Sequence, residues 1–266
     1  MATWVETPDV RILIDPGAAL APLRQGLSPH QQEILALESA WRKIRDRALG
    51  ADVFIITHYH YDHLNPDQVD LFQGKLLWLK DPTRTNRSQR MRAKAFLDRL
   101  KNVKATWTWA DGHTFHIGHT HIHFSEPTPH GPGGRLGTVI QVAIESRGRS
   151  FVYTSDIQGP FRDDQLAFIL AHAPQCVYLD GPPLYLLGQH YSTTIFEKVL
   201  ENLQEILATV DTVILDHHPL RVANWRSYFH RLTGTSRMVS AAEFLGHPER
   251  LLEANRRALY SDAVPM

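Results

Sequence analysis

The sequence predicts an α/β fold, and two observations support this prediction. Short apolar runs of strand length alternate along the chain with longer segments whose apolar residues recur at helical spacing. Hydrophobic residues make up 43% and charged residues 21% of the 266 positions, an ordinary composition for a globular chain with a buried core. No linker, low-complexity tract or helical repeat interrupts the sequence, so we expect one domain covering residues 1–266.

The strands are predicted from runs of β-branched, aliphatic or aromatic residues bounded by turn residues. These runs are residues 10–15, 53–57, 75–79, 139–146, 150–154, 176–180 and 212–215, and residues 113–124 resemble a hairpin. Several of the runs end at an Asp or within two residues of an Asp or His, where a following loop can present functional groups.

The helices are predicted from amphipathic spacing and capping residues. They cover residues 31–49, 86–100 and 163–171, a segment following Thr194, and two C-terminal segments at 221–232 and 241–259. Ser28 and Glu33 are expected to bracket the first helix, whose predicted apolar face contains Ile34, Leu35, Leu37, Trp41, Ile44 and Leu49. Whether the C-terminal segments pack on the core or on a partner, such as a second copy of the chain, stays open.

Charge and cysteine content exclude several classes of protein. The net charge is zero with histidine neutral, so no global field draws the chain to nucleic acid or to a membrane. The single cysteine, Cys176, excludes an intrachain disulfide and a thiolate metal cluster. No apolar run has the length of a membrane span and the first residues, Met1 to Glu6, lack a charged-then-apolar signal pattern, so we expect a cytoplasmic protein.

The hexapeptide His58-Tyr59-His60-Tyr61-Asp62-His63 follows the strand at 53–57 directly. It brings three imidazoles and one carboxylate together in a loop at a strand end. Nitrogen and carboxylate ligands suit zinc, manganese or iron better than calcium or magnesium. A solvated turn would not need three alternating histidines, so the pattern predicts a transition-metal site.

This HxHxDH pattern resembles the signature of the metallo-β-lactamase superfamily, and four further elements, one before it and three after it, appear in that superfamily's order. They are Asp15 in the motif Asp15-Pro16-Gly17, the isolated His130, Asp156 at a strand end, and His217 in the segment 213–218. Together with residues 216–221, the set resembles a small branch known mainly as predicted hydrolases. The resemblance implies a four-layer αββα metallo-β-lactamase sandwich.

The resemblance also implies a dinuclear centre. His58, His60 and His130 would hold one divalent ion, Asp62, His63 and His217 the other, and Asp156 would bridge them. The ions are expected to be zinc, with manganese or iron as alternatives, and to share a hydroxide that attacks the substrate. In this family, Asp15 supports ligands by hydrogen bonds, and Ser155 stands where Gly is usual. His217 is preferred to His218 because it lies four residues before Arg221, as in the tRNA 3′-processing branch.

Other residues have expected roles around the metals. His190 matches a loop histidine that protonates a leaving group in that branch, with helix capping by its neighbours as the alternative. Asp180 ends another strand and is either a support for the site or a turn cap. Arg24 and His30 could line a pocket, although packing is the simpler role for their loop. The histidines at 113, 116, 119, 121 and 123 are interpreted as structural or surface residues.

Residues 80–104 contain nine basic residues and only two acidic ones. This segment is either a solvated face or an anion-binding arm, in which Arg87, together with Arg221, would contact a phosphoester. The segment slightly favours a phosphodiesterase or nuclease, whereas the zero net charge favours a hydrolase of small carboxylic esters, lactones or thioesters. A non-hydrolytic metal-binding protein is the third alternative.

Overall fold

Two β-sheets lie face to face in the computed structural model, which describes residues 1–262. The first sheet contains β1 (Thr3–Glu6), β2 (Arg11–Ile14), β3 (Val53–Ile56), β4 (Leu76–Leu79) and β5 (Thr106–Trp109), in that spatial order. β1 and β2 are antiparallel, and the other three strand pairs of this sheet are parallel.

The second sheet and a small two-stranded ribbon are built from the rest of the chain. Their strands are β6 (Thr114–Ile117), β7 (Thr120–Phe124), β8 (Thr128–Pro129), β9 (Thr138–Val139), β10 (Val142–Ser146), β11 (Arg149–Tyr153), β12 (Cys176–Asp180), β13 (Thr212–Asp216) and β14 (Met238–Val239). The spatial order in the sheet is β14, β13, β12, β11, β10, β7 and β6, whereas β8 pairs only with β9. The strands from β11 to β14 run parallel, so their C-terminal ends meet at one edge.

Helices flank the sheets. The α-helices are α1 (Gln31–Gly50), α2 (Arg87–Leu100), α3 (Asp163–Ala171), α4 (Thr193–Thr209), α5 (Ala241–Phe244) and α6 (Arg256–Asp262). Short 3-10 helices cover Pro66–Phe72, Pro82–Arg84, Leu184–Leu186, Pro219–Arg221, Trp225–Phe229 and Thr235–Arg237. Within residues 1–262, no helix combines the length and the apolar character that crossing a bilayer requires.

Three apolar clusters separate four layers. Ile12 and Ile55 of the first sheet meet Ile122 and Val142 of the second in a cluster between the sheets. Successive strand side chains point to opposite faces, so Leu13, Phe54 and Leu77 pack outward, against Ala48 of α1 and Phe96 of α2. Val177 and Leu215 pack outward against α3 and α4 on the other side. The predicted αββα arrangement is therefore confirmed.

The first helix differs from its prediction in its cap and in its buried face. His30, not Ser28, is the N-cap: the Gln32 N–H donates to His30 Nδ1 at 3.3 Å, and Glu33 accepts from the His30 N–H at 2.8 Å. Only Ile44 of the predicted apolar face is fully buried, and Leu35 and Leu49 are 52% and 82% exposed. Met91 of α2 is also exposed.

The two long C-terminal helices predicted at 221–232 and 241–259 are wrong. The first region forms a 3-10 helix that buries Trp225 and Phe229, and the second is divided between the short helices α5 and α6. Tertiary contacts outweigh local helical preference here. In α6, the buried Arg256 donates to both carboxylate oxygens of the buried Glu33 of α1, at 2.8 and 2.9 Å, and to the backbone oxygen of Leu27.

Candidate metal centre

All seven predicted ligands follow strands and meet at one edge of the sandwich. The hexapeptide 58–63 follows β3 by one residue, His130 follows β8, Asp156 lies three residues beyond β11, and His217 follows β13. Because the side chains come from four separate loops, the site exists only when both sheets are assembled.

The ligand atoms form two groups that share one carboxylate. His58, His60, His130 and Asp156 have ligand atoms within 4.8 Å of one another, and so do Asp62, His63, Asp156 and His217. Asp156 Oδ2 lies 3.4 Å from His130 Nε2 and 3.3 Å from His217 Nε2, and Asp156 Oδ1 lies 2.9 Å from His63 Nε2. Asp156 is thus placed to contact two ions at once, which is the arrangement the superfamily resemblance implied.

Unpartnered buried atoms show that these residues fit metal ions. Among the described residues, His58 Nε2, His130 Nε2 and His217 Nε2 are buried and have no hydrogen-bond partner, and His63 Nε2 and Asp156 Oδ1 lie 2.9 Å apart without the geometry of a hydrogen bond. A buried polar atom left unpaired costs about 1–3 kcal/mol. Ligation by a cation would satisfy all of them together.

The charges of the site also favour cations. Burial opposes ionisation of Asp156, but His63 and His217 outweigh it and hold the pKa of Asp156 well below its ordinary value. Burial likewise lowers the pKa of His58, and it lowers that of His60 to about 3 with help from His130. His58 and His60 therefore present free lone pairs beside an ionised carboxylate, which is the state that binds a metal. Burial opposes protonation of His63, but the carboxylates of Asp156 and Asp15 outweigh it and raise the pKa of His63 to about 10, so His63 has to lose a proton when it binds a metal.

Asp15 connects a predicted ligand to residues of both sheets through contacts of its carboxylate. Its Oδ2 lies 2.9 Å from His63 Nδ1 and accepts from the Tyr153 hydroxyl at 2.9 Å, and its Oδ1 accepts from the Thr57 N–H at 2.8 Å. The contact with Nδ1 directs Nε2 of His63 toward Asp156. The structure thus puts Asp15 where the predicted supporting role requires it.

Asp15, Ser155 and His217 all have left-handed backbones, with φ of 47°, 58° and 69°. Such a conformation is rare for residues other than glycine and is found where surrounding contacts impose it. At Ser155, the hydroxyl lies 2.6 Å from Thr57 Oγ1 and 3.3 Å from His58 Nδ1. The serine therefore keeps the turn that glycine would make and adds a contact to a predicted ligand.

His217 and His218 lie side by side, with ring centroids 4.4 Å apart. His217 Nε2 is 3.5 Å from Asp62 Oδ2, whereas His218 Nδ1 is 2.7 Å from Asp180 Oδ1. The left-handed turn at His217 leaves both rings near Asp156. Burial raises the pKa of Asp180 to about 7 and lowers that of His218, which favours the neutral form of each.

The basic segment 80–104 is largely paired with acids. Lys80 is buried and binds Asp111 at 2.8 Å, which excludes it from any exposed arm. The other acid pairs are Arg84 with Glu126, Lys94 and Lys101 with Asp98, and Arg99 with Asp67. Arg87 is exposed in the first turn of α2, and its role as a substrate contact stays a prediction.

His190 is exposed in the loop before α4, where its N–H donates to the Leu186 carbonyl at 3.1 Å. The helix cap is Ser192, whose hydroxyl accepts from the Ile195 N–H at 3.2 Å. Within residues 1–262, no side-chain hydrogen bond joins His190 to the seven ligands, so its role as a proton donor also stays a prediction.

Pairs of an arginine and a tyrosine lie next to the two groups of metal ligands. The sequence patterns did not indicate that these arginines and tyrosines would be paired. Arg92 lies 4.8 Å over the ring of Tyr61, inside the hexapeptide. Arg221 donates to the Tyr185 hydroxyl at 3.2 Å and lies 3.9 Å from Asp62 Oδ2. Arg24 lies over the ring of the same Tyr185, with its guanidinium carbon 4.3 Å from the ring centroid.

Glu253 joins the two guanidinium groups beside Tyr185. It accepts from Arg24 Nε at 2.8 Å and lies 3.8 Å from Arg221 Nε. No motif marks Tyr185 or Glu253, and for Arg24 the sequence favoured packing over a contact in a pocket.

Comparisons with known proteins agree with this geometry. The family model of the β-lactamase superfamily domain matches residues 10–183. A UPF0282 protein of Korarchaeum cryptofilum is 43% identical over 267 aligned positions, covering 98% of this chain and 89% of that relative. Another of Methanopyrus kandleri is 42% identical and covers 97% of this chain and 94% of that relative.

Solved structures share the fold at low identity. The isothiocyanate hydrolase from Delia radicum gut bacteria is 18% identical, with a TM-score of 0.57 and coverage of 90% of this chain and 92% of the other. A diphosphatase of the PhnP family is 15% identical, with a TM-score of 0.50 and coverage of 90% and 79%.

Proposed function

Because this chain belongs to the UPF0282 family and carries a β-lactamase superfamily domain, we propose that it is a dinuclear metal-dependent hydrolase that prefers phosphodiester substrates. His58, His60 and His130 would hold one ion, Asp62, His63 and His217 the other, and Asp156 both. Zinc is the preferred ion, with manganese or iron as alternatives. The unpartnered buried nitrogens of these ligands support the proposal most directly.

Two divalent ions bound there would supply Lewis acidity and a hydrolytic water made acidic near neutral pH. The chain's own residues supply position and charge. Asp15 and Ser155 fix the rings of His63 and His58, and Asp156 stays ionised between the two ligand groups. This division of work is common to hydrolases of different substrates, so the ligands alone do not select one.

The arginines beside the metal centre are the reason for preferring a phosphodiester to a carboxylic ester as substrate. Arg92 and Arg221 lie next to different parts of the metal loop, at Tyr61 and at Asp62. Guanidinium groups suit the paired oxygens of a phosphate, whereas the neutral carbonyl of an ester or lactone needs no such charge. A phosphodiester would therefore gain more than a carboxylic ester from this surface.

The pairing of the basic segment favours a compact phosphodiester over a long nucleic acid. Five of its nine basic side chains already have acidic partners, and Lys80 is buried. A long strand would need a continuous line of free cations to bind its successive phosphates.

Hydrolysis of bis-p-nitrophenyl phosphate and of p-nitrophenyl acetate by the metal-loaded protein tests this proposal. We expect Arg92→Gln and Arg221→Gln each to lower kcat/KM for the diester by roughly 10-fold or more, because a charged hydrogen bond contributes about 1.5–3 kcal/mol. The acetate reaction should change little. Arg90→Gln, an exposed change on the same helix, is the matched control.

Two outcomes would count against the diester. Faster hydrolysis of the acetate, with no effect of either arginine, would favour the class of small carboxylic esters, lactones and thioesters. No hydrolysis of either substrate by a protein that binds two ions would favour a non-hydrolytic metal-binding protein.

We also propose that His190 protonates the leaving group, since imidazole can donate a proton near neutral pH. His190→Ala should slow hydrolysis of a diester with a poor leaving group much more than that of bis-p-nitrophenyl phosphate, whose leaving group needs no proton. His230→Ala, another exposed histidine, is the control. Equal loss on both diesters, or loss on neither, excludes this role.

A further inference from the structure

A second cluster of metal-binding side chains lies on the outer face of the second sheet and shares no residue with the metal centre. His123 comes from β7, Glu145 from the neighbouring strand β10, and His172 from the C-cap of α3. Ile122 and Ile144 point into the core between the sheets, so the residues that follow them point outward, toward α3. Three separate elements thus bring two imidazoles and one carboxylate to one place.

The distances suit one ion. Glu145 Oε1 lies 2.7 Å from His172 Nδ1, and Glu145 Oε2 lies 3.7 Å from His123 Nε2. One ligand atom from each of the three residues lies within 4.8 Å of the other two. Ligand atoms around a tetrahedral zinc ion lie roughly 3.4 Å apart, given bonds of about 2.1 Å.

The orientation and ionisation of His123 favour a ligand role. Its Nδ1 lies 3.0 Å from the hydroxyl of Thr114, which leaves Nε2 directed at Glu145. A hydrogen bond to the far ring nitrogen is the usual way in which a protein orients a metal-binding histidine. Partial burial also lowers the pKa of His123, so its ring is neutral near pH 7.

Water and ions can reach the cluster. The three side chains keep 27%, 37% and 16% of their surface exposed, and a cleft of about 450 Å³ borders Glu145 and His172. The opening leaves room for a water molecule to complete a three-residue ligand set.

We propose that His123, Glu145 and His172 bind one divalent transition-metal ion of the zinc class, separately from the two ions of the metal centre. The ion would replace the hydrogen bond between His172 Nδ1 and Glu145 Oε1, and it would join α3 to strands β7 and β10. The proposal does not depend on hydrolytic activity. It also gives a function to one of the hairpin histidines that we interpreted as structural or surface residues.

Equilibrium dialysis of the full chain against Zn²⁺, after removal of metal by a chelator, tests the proposal. We expect wild type to bind one equivalent more than His172→Ala and one more than Glu145→Gln. The comparison uses the difference between proteins, so it holds whatever the metal centre itself binds. His119→Ala changes an exposed histidine of the same hairpin and should keep the full wild-type stoichiometry.

Thermal unfolding followed by circular dichroism separates a lost ligand from a lost fold. Zn²⁺ should raise the Tm of wild type more than that of His172→Ala, while the two metal-free proteins unfold within a few degrees of each other. Equal stoichiometry in wild type and both folded ligand variants would overturn the proposal. A lost equivalent in His119→Ala would overturn it too, because binding would then belong to the surface histidines in general.

Discussion

The side chain of Asp15 joins three parts of the structure around the metal centre. Its two oxygens contact His63 from the hexapeptide, Thr57 at the end of β3 and Tyr153 of β11, and so link both sheets. A carboxylate in this position orients a ligand and raises its basicity without touching the ion.

We expect Asp15→Asn to weaken metal binding by roughly 10- to 100-fold, the usual cost of removing such a support. The asparagine side chain has no negative charge to face His63. Its NH2 group is a donor in a place where Asp15 accepts hydrogen bonds from other donors. Competition with a chromogenic chelator would measure the affinity. Asp52→Asn, which removes an exposed partner of Arg11, should bind metal as wild type does. Unchanged affinity in Asp15→Asn would contradict the supporting role.

The adjacent histidines give a second prediction at this scale. His217 lies with Asp62 and Asp156, whereas His218 is hydrogen-bonded to Asp180. We therefore expect His217→Ala to lose one metal equivalent and His218→Ala to keep both, as measured by elemental analysis of the folded proteins. The reverse result would exchange their roles.

Residues with motif spacing could be predicted from the sequence, whereas residues that act through tertiary contacts could not. The seven ligands follow strand ends in a recognisable order. Arg92, by contrast, was one of nine basic residues in its segment, and only the fold brings it over Tyr61. The backbone turn at His217 was likewise invisible, because nothing about a histidine predicts a left-handed conformation.

At the scale of elements, the turn Asp15-Pro16-Gly17 is packed against the backbone of the metal loop. A Cβ on Gly17 would overlap the backbone atoms of His63 and Leu64, which no side-chain rotation could relieve. The glycine therefore allows the loop after β2 and the hexapeptide to approach each other.

Gly17→Ala should displace the hexapeptide and lower metal content even though no ligand changes. Gly50→Ala is the control, because a Cβ there meets only ordinary contacts of 3.6 Å or more, to Trp4 and Arg11. Elemental analysis together with Tm would compare the two. A Gly17→Ala protein with full metal content and wild-type Tm would show that the loop can move aside.

Elements with strong periodic patterns were predicted well, and those fixed by distant contacts were not. The helix predicted at 163–171 coincides with α3, and the strand predicted at 53–57 overlaps β3. The face that α1 buries did not follow its apolar residues, because its buried Glu33 is paired with Arg256. Local sequence does not show that pairing, which also helps to explain why 241–259 is not one helix.

At the scale of the whole molecule, the metal centre connects the two sheets. Its ligands follow β3 in the first sheet and β11 and β13 in the second. Removing metal should therefore destabilise the entire sandwich rather than one loop. A ligand present at 1,000 times its Kd stabilises a protein by about 4 kcal/mol, which corresponds to roughly 8–16 °C in Tm for a chain of this size.

We expect the chelated protein to unfold at a Tm lower by about that amount, in a scan by differential scanning calorimetry. Restoring Zn²⁺ should recover the original Tm. Asp156→Asn should show a much smaller difference between its two states, because the shared ligand is impaired. An unchanged Tm after chelation would mean that metal bound between the two sheets contributes little to the stability of the protein.

The ion pair between Glu33 and Arg256 affects how the chain folds while the ribosome is still synthesising it. The two residues are separated by 223 positions, so the carboxylate emerges long before the guanidinium that neutralises it. At about 5–20 residues per second, the interval is roughly 11–45 s. During that time, α1 cannot settle into its final place without burying an unpaired charge. The burial of Glu33 in α1 can therefore be completed only after α6 has emerged.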